Sequence, residues 1–217
     1  MLHFFKSGLY MSEFVKAAYD GNIDEVMHLF SINNNVIHEK DNEGDTAILK
    51  ASRNCNSYNV MTFLIQSGAN VNDKDQIGQT PLIVATQHGC KKNVELLIGA
   101  GADIHERNDF GHNAIITAAQ ENQLEIAMFL IESGADVNIK DAEGETPYTY
   151  ALQIHRGKKT ELSDLFLQHM NNDSGKGLKR KNINKKKKSI KKKKKGKRIT
   201  RTKTKTKTKT KTIKYNK

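Results

Sequence analysis

The fold is decided by one stretch in the middle of the chain, Asp75-Gln76-Ile77-Gly78-Gln79-Thr80-Pro81-Leu82-Ile83-Val84-Ala85. Its turn recurs with a glycine in the same register, at spacings of 34, 33 and 33 residues, at Gly44, Gly78, Gly111 and Gly144. A second glycine series keeps the same period, at Gly68, Gly101 and Gly134. A period of about 33 residues is typical of proteins that stack one small unit. The sequence therefore predicts a repeat architecture.

Each unit carries the signals for a tight turn followed by a helix. An Asp or Asn lies three residues before each turn glycine, where its side chain can accept hydrogen bonds from backbone N–H groups while the glycine takes a positive φ. Thr80-Pro81 and Thr146-Pro147 are typical of helix starts, because the hydroxyl caps free N–H groups and proline suits the first helical position. We expect Asn113 to cap a helix in the same way. The second glycine series should end the second helix of each unit in the left-handed conformation.

The two helices of a unit differ in their apolar residues. The first helices carry small residues where a neighbour must approach closely, at Ala51, Ala85, Ala118-Ala119 and Ala151. The second helices carry bulky runs, at Phe63-Leu64-Ile65, Leu96-Leu97-Ile98 and Phe129-Leu130-Ile131. One unit needs to bury its apolar surface against the next, so the units must stack. One inserted residue around Asn54–Tyr58 lengthens the interhelix loop of one unit.

This pattern resembles the ankyrin repeat, a turn plus two antiparallel helices in about 33 residues. The family signature T-P-L-H-x-A is approached by Thr80–Ala85 and Thr146–Ala151, both of which lack the family's histidine. The G-A-D-x-N turn is intact in Gly134–Asn138 and nearly so in Gly68–Asn72, whereas His105 replaces the last Asn of the third unit. The resemblance implies an all-α solenoid of about five units.

The resemblance covers residues 11–170 and implies a division of the chain into repeats and a tail. The segments are 1–40, an N-terminal segment with a capping repeat; 41–74, 75–107 and 108–140, three repeats; 141–170, a C-terminal capping repeat; and 171–217, a basic tail rich in Lys and Thr.

The net charge of +12 conceals two opposite parts of the chain. Residues 171–217 contain 23 basic residues and one acidic residue, Asp173, whereas residues 1–170 contain 13 basic and 23 acidic residues. A tail of like charges without an apolar face cannot offset its chain entropy, so we expect it to be disordered.

The basic tail has three interpretations that the sequence leaves open. Its lysine clusters are similar to nuclear or nucleolar localisation signals if the protein resides in a eukaryotic cell, they can bind nucleic acid phosphates without sequence preference, or they only keep the terminus solvated. The residues expected to serve targeting or phosphate contact are Lys179, Arg180, Lys181, Lys185, Lys186, Lys187, Lys188, Lys191, Lys192, Lys193, Lys194, Lys195, Lys197 and Arg198.

The sequence carries no motif for catalysis, a cofactor or a metal. H-E-x-x-H, G-x-S-x-G and Walker patterns are absent, and Ser174-Gly175-Lys176-Gly177 lacks the residues that make a P-loop. His88, His105 and His112 lie on adjacent units, but no Cys or carboxylate spacing implies a metal. We therefore predict that the protein is not an enzyme.

By resemblance, the contact residues of such an array line a concave face made of turn tips and the ends of the first helices. Carried onto this chain, they are Asn42, Glu43, Asp45, Arg53, Gln76, Ile77, Gln79, Gln87, His88, Asp109, Phe110, His112, Gln120, Glu121, Ala142, Glu143, Glu145 and Gln153. Charge of one sign on a concave face steers a partner of opposite charge, so a basic protein partner fits. Phe110 either anchors that partner or folds back onto the neighbouring turn.

The predicted function is therefore a non-catalytic scaffold that binds a protein through the concave face, as a monomer. A nucleic-acid or nucleolar-associated protein that acts through its tail, and a host-directed effector of an intracellular microbe or virus, are the alternatives. We expect an intracellular location, cytoplasmic or nuclear, because Met1–Lys6 is too short for a secretory segment and no apolar run approaches 18 residues. The two cysteines, Cys55 and Cys90, are expected to be reduced and structural or incidental.

Asn72 and Asn138 raise one further alternative. Their setting is similar to the sequence that the asparaginyl hydroxylase of ankyrin proteins modifies, but bonding to the turn backbone is the simpler role.

Overall fold

A computed structural model describes residues 13–154 and 156–173 of the chain. Within these residues the regular structure is helical, with no strand. The α-helices are residues 13–20 (α1), Ile23–Ile32 (α2), Ala47–Ser52 (α3), Tyr58–Gln66 (α4), Pro81–Gln87 (α5), Lys91–Gly99 (α6), Ala114–Gln120 (α7), Leu124–Glu132 (α8), Pro147–Ile154 (α9) and Glu161–Asp173 (α10). A 3₁₀ helix, Asn34–His38, follows α2. The fold is an all-α array of consecutive helix pairs, which confirms the predicted class.

One side chain organises the turn before each of the last four helix pairs. Asp75 Oδ1 accepts hydrogen bonds from the N–H groups of Ile77, at 3.0 Å, and Gln79, at 2.8 Å. The same two bonds recur in the other turns, where the acceptor belongs to Asp41, Asn108 or Asp141. The turn glycines all have positive φ, from +75° to +85°. The Asp or Asn three residues before each glycine therefore plays the predicted part.

The predicted helix caps are also present. Thr80 Oγ1 accepts from the N–H of Ile83 at 3.4 Å, and Asn113 Oδ1 accepts from the N–H of Ile116 at 3.3 Å. Gly68 follows α4 at φ +95°, and the equivalent glycines after α6 and α8 have φ of +89° and +103°. Start and stop signals in the sequence thus set the helix ends.

The core is shared between neighbouring helix pairs. The first helices of the pairs pack in one row, α3 on α5, α5 on α7 and α7 on α9, and the second helices pack in another, α4 on α6, α6 on α8 and α8 on α10. Equivalent positions of the repeat are fully buried, as at Leu64, Leu97 and Leu130 in the second helices. Burying one such side chain contributes roughly 1.5–3 kcal/mol. Because neighbouring pairs supply much of this burial, each helix pair depends on its neighbours for stability.

A ladder of basic side chains, which the sequence reasoning missed, joins the starts of the turns. Lys40 Nζ donates to the carbonyl oxygen of Lys74 at 2.9 Å, and Arg107 Nη1 donates to that of Lys140 at 2.8 Å. Lys74 Nζ continues the series with an ion pair to Glu106 at 2.8 Å. The signal in the sequence was a basic residue repeated just before each turn.

Adjacent repeats also bond through Asn72, whose Oδ1 accepts from the N–H of Asp103 at 2.8 Å. This contact gives Asn72 the structural role that the sequence favours.

The expectation of reduced cysteines is wrong for this structure, because Cys55 and Cys90 form a disulfide with their Cα atoms 4.6 Å apart. The cause lies in the longer interhelix loop. Five residues, 53–57, separate α3 from α4, whereas three residues, 88–90, separate α5 from α6. The extra length brings Cys55 over the start of α6 in the next repeat.

The last helix runs further than the sequence indicates. Helix α10 ends at Asp173, three residues beyond the predicted end of the last unit at residue 170. The basic residues named in the tail, from Lys179 onward, lie outside the described residues. Among the described helices, none combines the length and the apolar character needed to cross a bilayer.

Candidate functional site

Successive turn tips lie in direct contact, which makes them one continuous surface. The N–H of Asp109 donates to the carbonyl oxygen of Ile77 at 3.1 Å, and the N–H of Ala142 donates to that of Phe110 at 3.3 Å. A Cβ on Gly111 would lie 2.8 Å from the nitrogen of Ala142, closer than real Cβ atoms approach. Glycine at this position therefore permits the close stacking of the tips that carry the predicted contact residues.

Two apolar side chains stand exposed on these tips. Ile77 is 43% exposed and Phe110 is 51% exposed. The ring of Phe110 lies near that of His112, with the two centroids 6.2 Å apart, yet half of its surface faces solvent. Phe110 therefore does not fold back into a buried site.

A compact ion-pair network occupies the N-terminal end of this face. Lys50 Nζ lies 3.2 Å from Asp41 Oδ2 and 3.0 Å from Asp45 Oδ2, and it also pairs with Glu43. Arg53 Nη1 lies 2.8 Å from the same oxygen of Asp45. The two cations lie against the three carboxylates, so the negative charge at this end is largely compensated.

The network stabilises the charged forms of Lys50 and Asp41. Burial opposes the charge of Lys50, but hydrogen bonds to Glu43, Asp45 and Asp41 outweigh it and raise the pKa of Lys50. Burial likewise opposes the charge of Asp41, but the backbone N–H groups of Asp45 and Glu43, and then Lys50, lower the Asp41 pKa. Lys50 and Asp41 are therefore both charged near neutral pH.

A different cluster occupies the C-terminal end of the face. The hydroxyl of Tyr150 donates to Asp141 Oδ2 at 2.5 Å and lies 3.4 Å from His112 Nε2. His112 Nε2 is also 3.4 Å from Asp141 Oδ2, and the side chain of Asp141 is fully buried. The cluster thus ties a first helix to its own turn and to the turn of the preceding repeat.

The hydrogen bond between Tyr150 and Asp141 shifts the pKa of each group in opposite directions. Burial and the Asp141 carboxylate raise the pKa of Tyr150 to about 12. Burial opposes the charge of Asp141, but the Tyr150 hydroxyl and two backbone N–H groups outweigh it and lower the Asp141 pKa. Tyr150 is therefore a neutral donor, and Asp141 a charged acceptor, at neutral pH.

Four acidic side chains in the C-terminal half of the array lack the cations that compensate the carboxylates at its N-terminal end. Asp109, Glu121 and Glu143 are exposed, and Glu145 is half-buried. No ion pair between described residues involves any of these four. The face is thus electrostatically uneven, with its uncompensated negative charge in the C-terminal repeats.

The structure places nearly all of the predicted contact residues at least partly in solvent. The exposed ones are Asn42, Glu43, Gln76, Ile77, Gln87, His88, Asp109, Phe110, Glu121, Ala142, Glu143 and Gln153. The half-buried ones are Arg53, Gln79, His112, Gln120 and Glu145. Asp45 departs from the prediction: it is 2% exposed, because Lys50 and Arg53 hold its carboxylate inside the network.

At the C-terminal ends of the first helices, His88 lies between opposite charges. Burial, and then the positive charge of Arg53, lower the pKa of His88, while Glu121 acts in the opposite direction. The lowered pKa favours a neutral imidazole, and the exposed His88 is able to accept or donate a hydrogen bond to a partner.

The sequence reasoning missed Lys50 and Tyr150, which build the two clusters. Both occupy the same register position, the residue before the alanine that recurs in the first helices, here Ala51 and Ala151. The equivalent residues in the two central repeats are the buried Val84 and Thr117. The sequence therefore marked these two residues by their size and polarity, because a long charged or aromatic side chain stands where the central repeats have a small buried one.

Two groups of side chains within the described residues have the spacing of potential metal ligands. The first is Asp41, Glu43 and Asp45, where Lys50 already supplies the positive charge. The second is His112, Asp141 and Glu143, with ligand atoms within 4.8 Å of one another. The oxygens of Asp141 already accept hydrogen bonds from Tyr150 and from the turn backbone, so this arrangement is explained without an ion. Neither group includes His88 or His105.

Comparison with known proteins agrees with the geometry. The family model for ankyrin repeats (3 copies) matches residues 14–108 and again residues 93–172. A search of curated proteins finds no significant match to the chain. Ankyrin repeats generally mediate protein–protein interactions, and the family is typically non-catalytic. With the matched segments spanning most of the helix pairs, turns and caps described above, the chain belongs to the ankyrin repeat family.

Proposed function

We propose that this protein is a non-catalytic scaffold whose concave face binds a basic segment of a protein partner. The observation that carries the proposal is Phe110, an aromatic side chain 51% exposed at a turn tip beside uncompensated carboxylates. Large aromatic residues ringed by polar groups concentrate affinity at interfaces. The partner segment docks where Phe110 can receive an apolar or cationic side chain.

Charge complementarity supports a basic partner. Asp109 precedes Phe110, and Glu143 follows Ala142, whose N–H bonds to the Phe110 carbonyl oxygen; both acids are exposed and have no ion pair among the described residues. A partner Lys or Arg side chain would gain these carboxylates and the face of the Phe110 ring, a cation–π contact of roughly 0.5–1 kcal/mol at an exposed site. At the N-terminal end of the face, Lys50 and Arg53 already pair with the carboxylates of the turn, so this turn should attract a basic partner less strongly.

The tail has a separate part in the proposal. Its lysine clusters, which begin at Lys179 and lie outside the described residues, serve targeting or electrostatic attachment in an intracellular setting. The alternative function is phosphate binding by this tail, which would make nucleic acid the main ligand.

Site-specific photo-crosslinking tests where the partner docks. A photo-reactive phenylalanine analogue is placed in the full chain at Phe110 and, as a control, at Met128 on α8, which is similarly exposed at 46%. Protein adducts at position 110 that do not form at position 128 support the proposal. Adducts at both positions in equal yield would contradict it.

Charge variants distinguish binding of a basic partner at the Phe110 turn from binding of nucleic acid by the tail. Glu143→Gln should reduce the adduct at position 110, whereas Glu132→Gln, an exposed acid on α8, should not. Replacing Lys185–Lys188 and Lys191–Lys195 by Gln in the full chain should leave the adduct in place. An adduct that depends on those lysines and disappears with nuclease favours the nucleic-acid alternative.

A further inference from the structure

We propose that Cys55 and Cys90 form a reversible redox clamp between two adjacent repeats, opened and closed by exchange with low-molecular-weight thiols and disulfides. The clamp is independent of the partner-binding function proposed above. The two cysteines are 35 residues apart in sequence and join the loop after α3 to the start of α6.

The position of the bridge is specific to one junction between repeats. At the next junction, Gln123 stands at the start of α8, where Cys90 stands at the start of α6. Its Nε2 donates to the carbonyl oxygen of Gln87 at 3.5 Å, a non-covalent link between the same parts of neighbouring repeats. The disulfide replaces this kind of link where the longer loop 53–57 brings a second cysteine within reach.

The local structure also accommodates the open, dithiol form. The carbonyl oxygen of His88 lies 3.5 Å from Cys55 Sγ and 3.8 Å from Cys90 Sγ, so it can accept a hydrogen bond from a thiol. Asn93 Nδ2 donates to the carbonyl oxygen of Asn54 at 3.1 Å, which holds the loop against α6 without the disulfide. Both redox forms therefore have defined contacts, as a reversible site requires.

The two cysteine residues differ in their exposure to solvent. Cys55 is exposed, whereas Cys90 is 2% exposed at the N-terminus of the nine-residue α6. Cys55 also lines an open groove of about 1060 Å³ between α4 and α6, with Tyr58 and Lys92 on its walls. A small thiol can therefore reach Cys55, while the positive end of the α6 dipole stabilises a thiolate at Cys90.

These differences define the exchange step. In opening, an external thiolate attacks Cys55 Sγ, the bond to Cys90 breaks, and Cys90 leaves as a thiolate. A second external thiolate then attacks the mixed disulfide, which releases Cys55 as a thiolate and forms the small-molecule disulfide. Both cysteines take protons from solvent. Two external thiols are oxidised and one protein disulfide is reduced, and closing with a small-molecule disulfide is the reverse.

The clamp should stiffen the junction that carries two concave-face residues. Arg53 begins the bridged loop, and His88 precedes Gly89 and Cys90. Closing a loop of this length restricts the unfolded chain, and the usual effect of such a disulfide corresponds to a rise in melting temperature of roughly 4–16 °C for a chain of this size.

The test uses the full chain after treatment with oxidised glutathione or with dithiothreitol. We expect the oxidised sample to be monomeric, to show no free thiol and to lose the mass of two hydrogen atoms. It should melt above the reduced sample, and alternating the two treatments should restore each state. In the reduced sample, amide exchange should be faster in residues 53–57 and 88–92.

Cys90→Ser provides a matched control, because Ser57 holds the equivalent position at the start of α4. This variant and Cys55→Ser should keep the helical circular dichroism of the reduced chain and lose the dependence of melting on redox state. Stable glutathione adducts or cross-linked dimers in place of the internal bridge would overturn the proposal. Identical melting of the oxidised and reduced chains would also overturn it.

Discussion

The hydroxyl of Tyr150 donates a hydrogen bond to Asp141 Oδ2 at 2.5 Å, and this bond ties α9 to its own turn. His112 of the preceding repeat lies 3.4 Å from the same carboxylate oxygen. The bond therefore lies where two repeats meet, beside His112, whose ring neighbours that of Phe110.

The Tyr150 hydroxyl should lose its proton at a higher pH than an ordinary tyrosine. Its folded-state pKa is about 12, against an ordinary value of 10.0, because burial and the Asp141 carboxylate disfavour the phenolate. Since the folded pKa is raised, the stabilisation is fully present below pH 10 and is lost as the pH rises through 12. Phenolate absorbance should show a component near pH 12 that Tyr150→Phe removes, with circular dichroism on the same sample confirming that the chain is folded. Absence of that component in the folded chain would contradict the assignment.

Stacking of the turn tips predicts unequal costs for two glycine substitutions. Gly111 and Gly144 have similar positive φ values, +78° and +85°, so alanine at either position carries a left-handed penalty of about 1–2 kcal/mol. A Cβ on Gly111 would also lie 2.8 Å from the nitrogen of Ala142, whereas a Cβ on Gly144 meets nothing within 4 Å. Urea denaturation should therefore give a larger loss of unfolding free energy for Gly111→Ala than for Gly144→Ala. Equal losses would mean that the tips do not stack as described.

The network around Lys50 should contribute more to stability than an exposed ion pair of the same array. Lys50→Ala removes a cation from the half-buried Asp41 and from the buried Asp45, which keeps Arg53 as a partner. We expect a cost above that of an exposed pair and below the roughly 3–5 kcal/mol of a fully buried pair that loses one member. Lys74→Ala is the control, because its pair with Glu106 is exposed and is worth about 0–1 kcal/mol. Denaturant unfolding at neutral pH should show a larger loss of unfolding free energy for Lys50→Ala than for Lys74→Ala.

The same network predicts a direction for the dependence on pH. The pKa of Asp41 is lowered in the folded state, so its contribution is present above the ordinary value of 3.8 and is lost as the pH falls through the folded pKa. The difference in unfolding free energy between Lys50→Ala and the parent chain should shrink as the pH is lowered from 3.8 through the folded pKa of Asp41. A difference that stays constant would show that Lys50 acts through packing alone.

Local repeat chemistry could be predicted well from the sequence. Asp75, Asn108 and their equivalents hold the turns because the bonds they make reach only two and four residues ahead. Asn113 caps α7 three residues ahead. Such interactions depend on spacing along the chain, so a repeated spacing reveals them.

Interactions that depend on which way a side chain points were harder to predict, both between repeats and within one repeat. The bridge between Cys55 and Cys90 needs the longer loop to turn toward α6, and counting cysteines does not reveal this. Asp45 has the spacing of a contact residue, but Lys50 and Arg53 draw it inside. The net charge presented by the predicted contact residues therefore depends on contacts between side chains, which composition does not reveal.

The central claim is that a protein partner docks on the concave face at Phe110, and the dissociation constant of the partner identified by crosslinking tests it most directly. The constant is measured for the parent full chain, for Phe110→Ala, and for Met128→Ala on α8. The account predicts a loss of roughly 10- to 30-fold for Phe110→Ala and little change for Met128→Ala. Unchanged affinity in Phe110→Ala, with both variants fully helical, would contradict it.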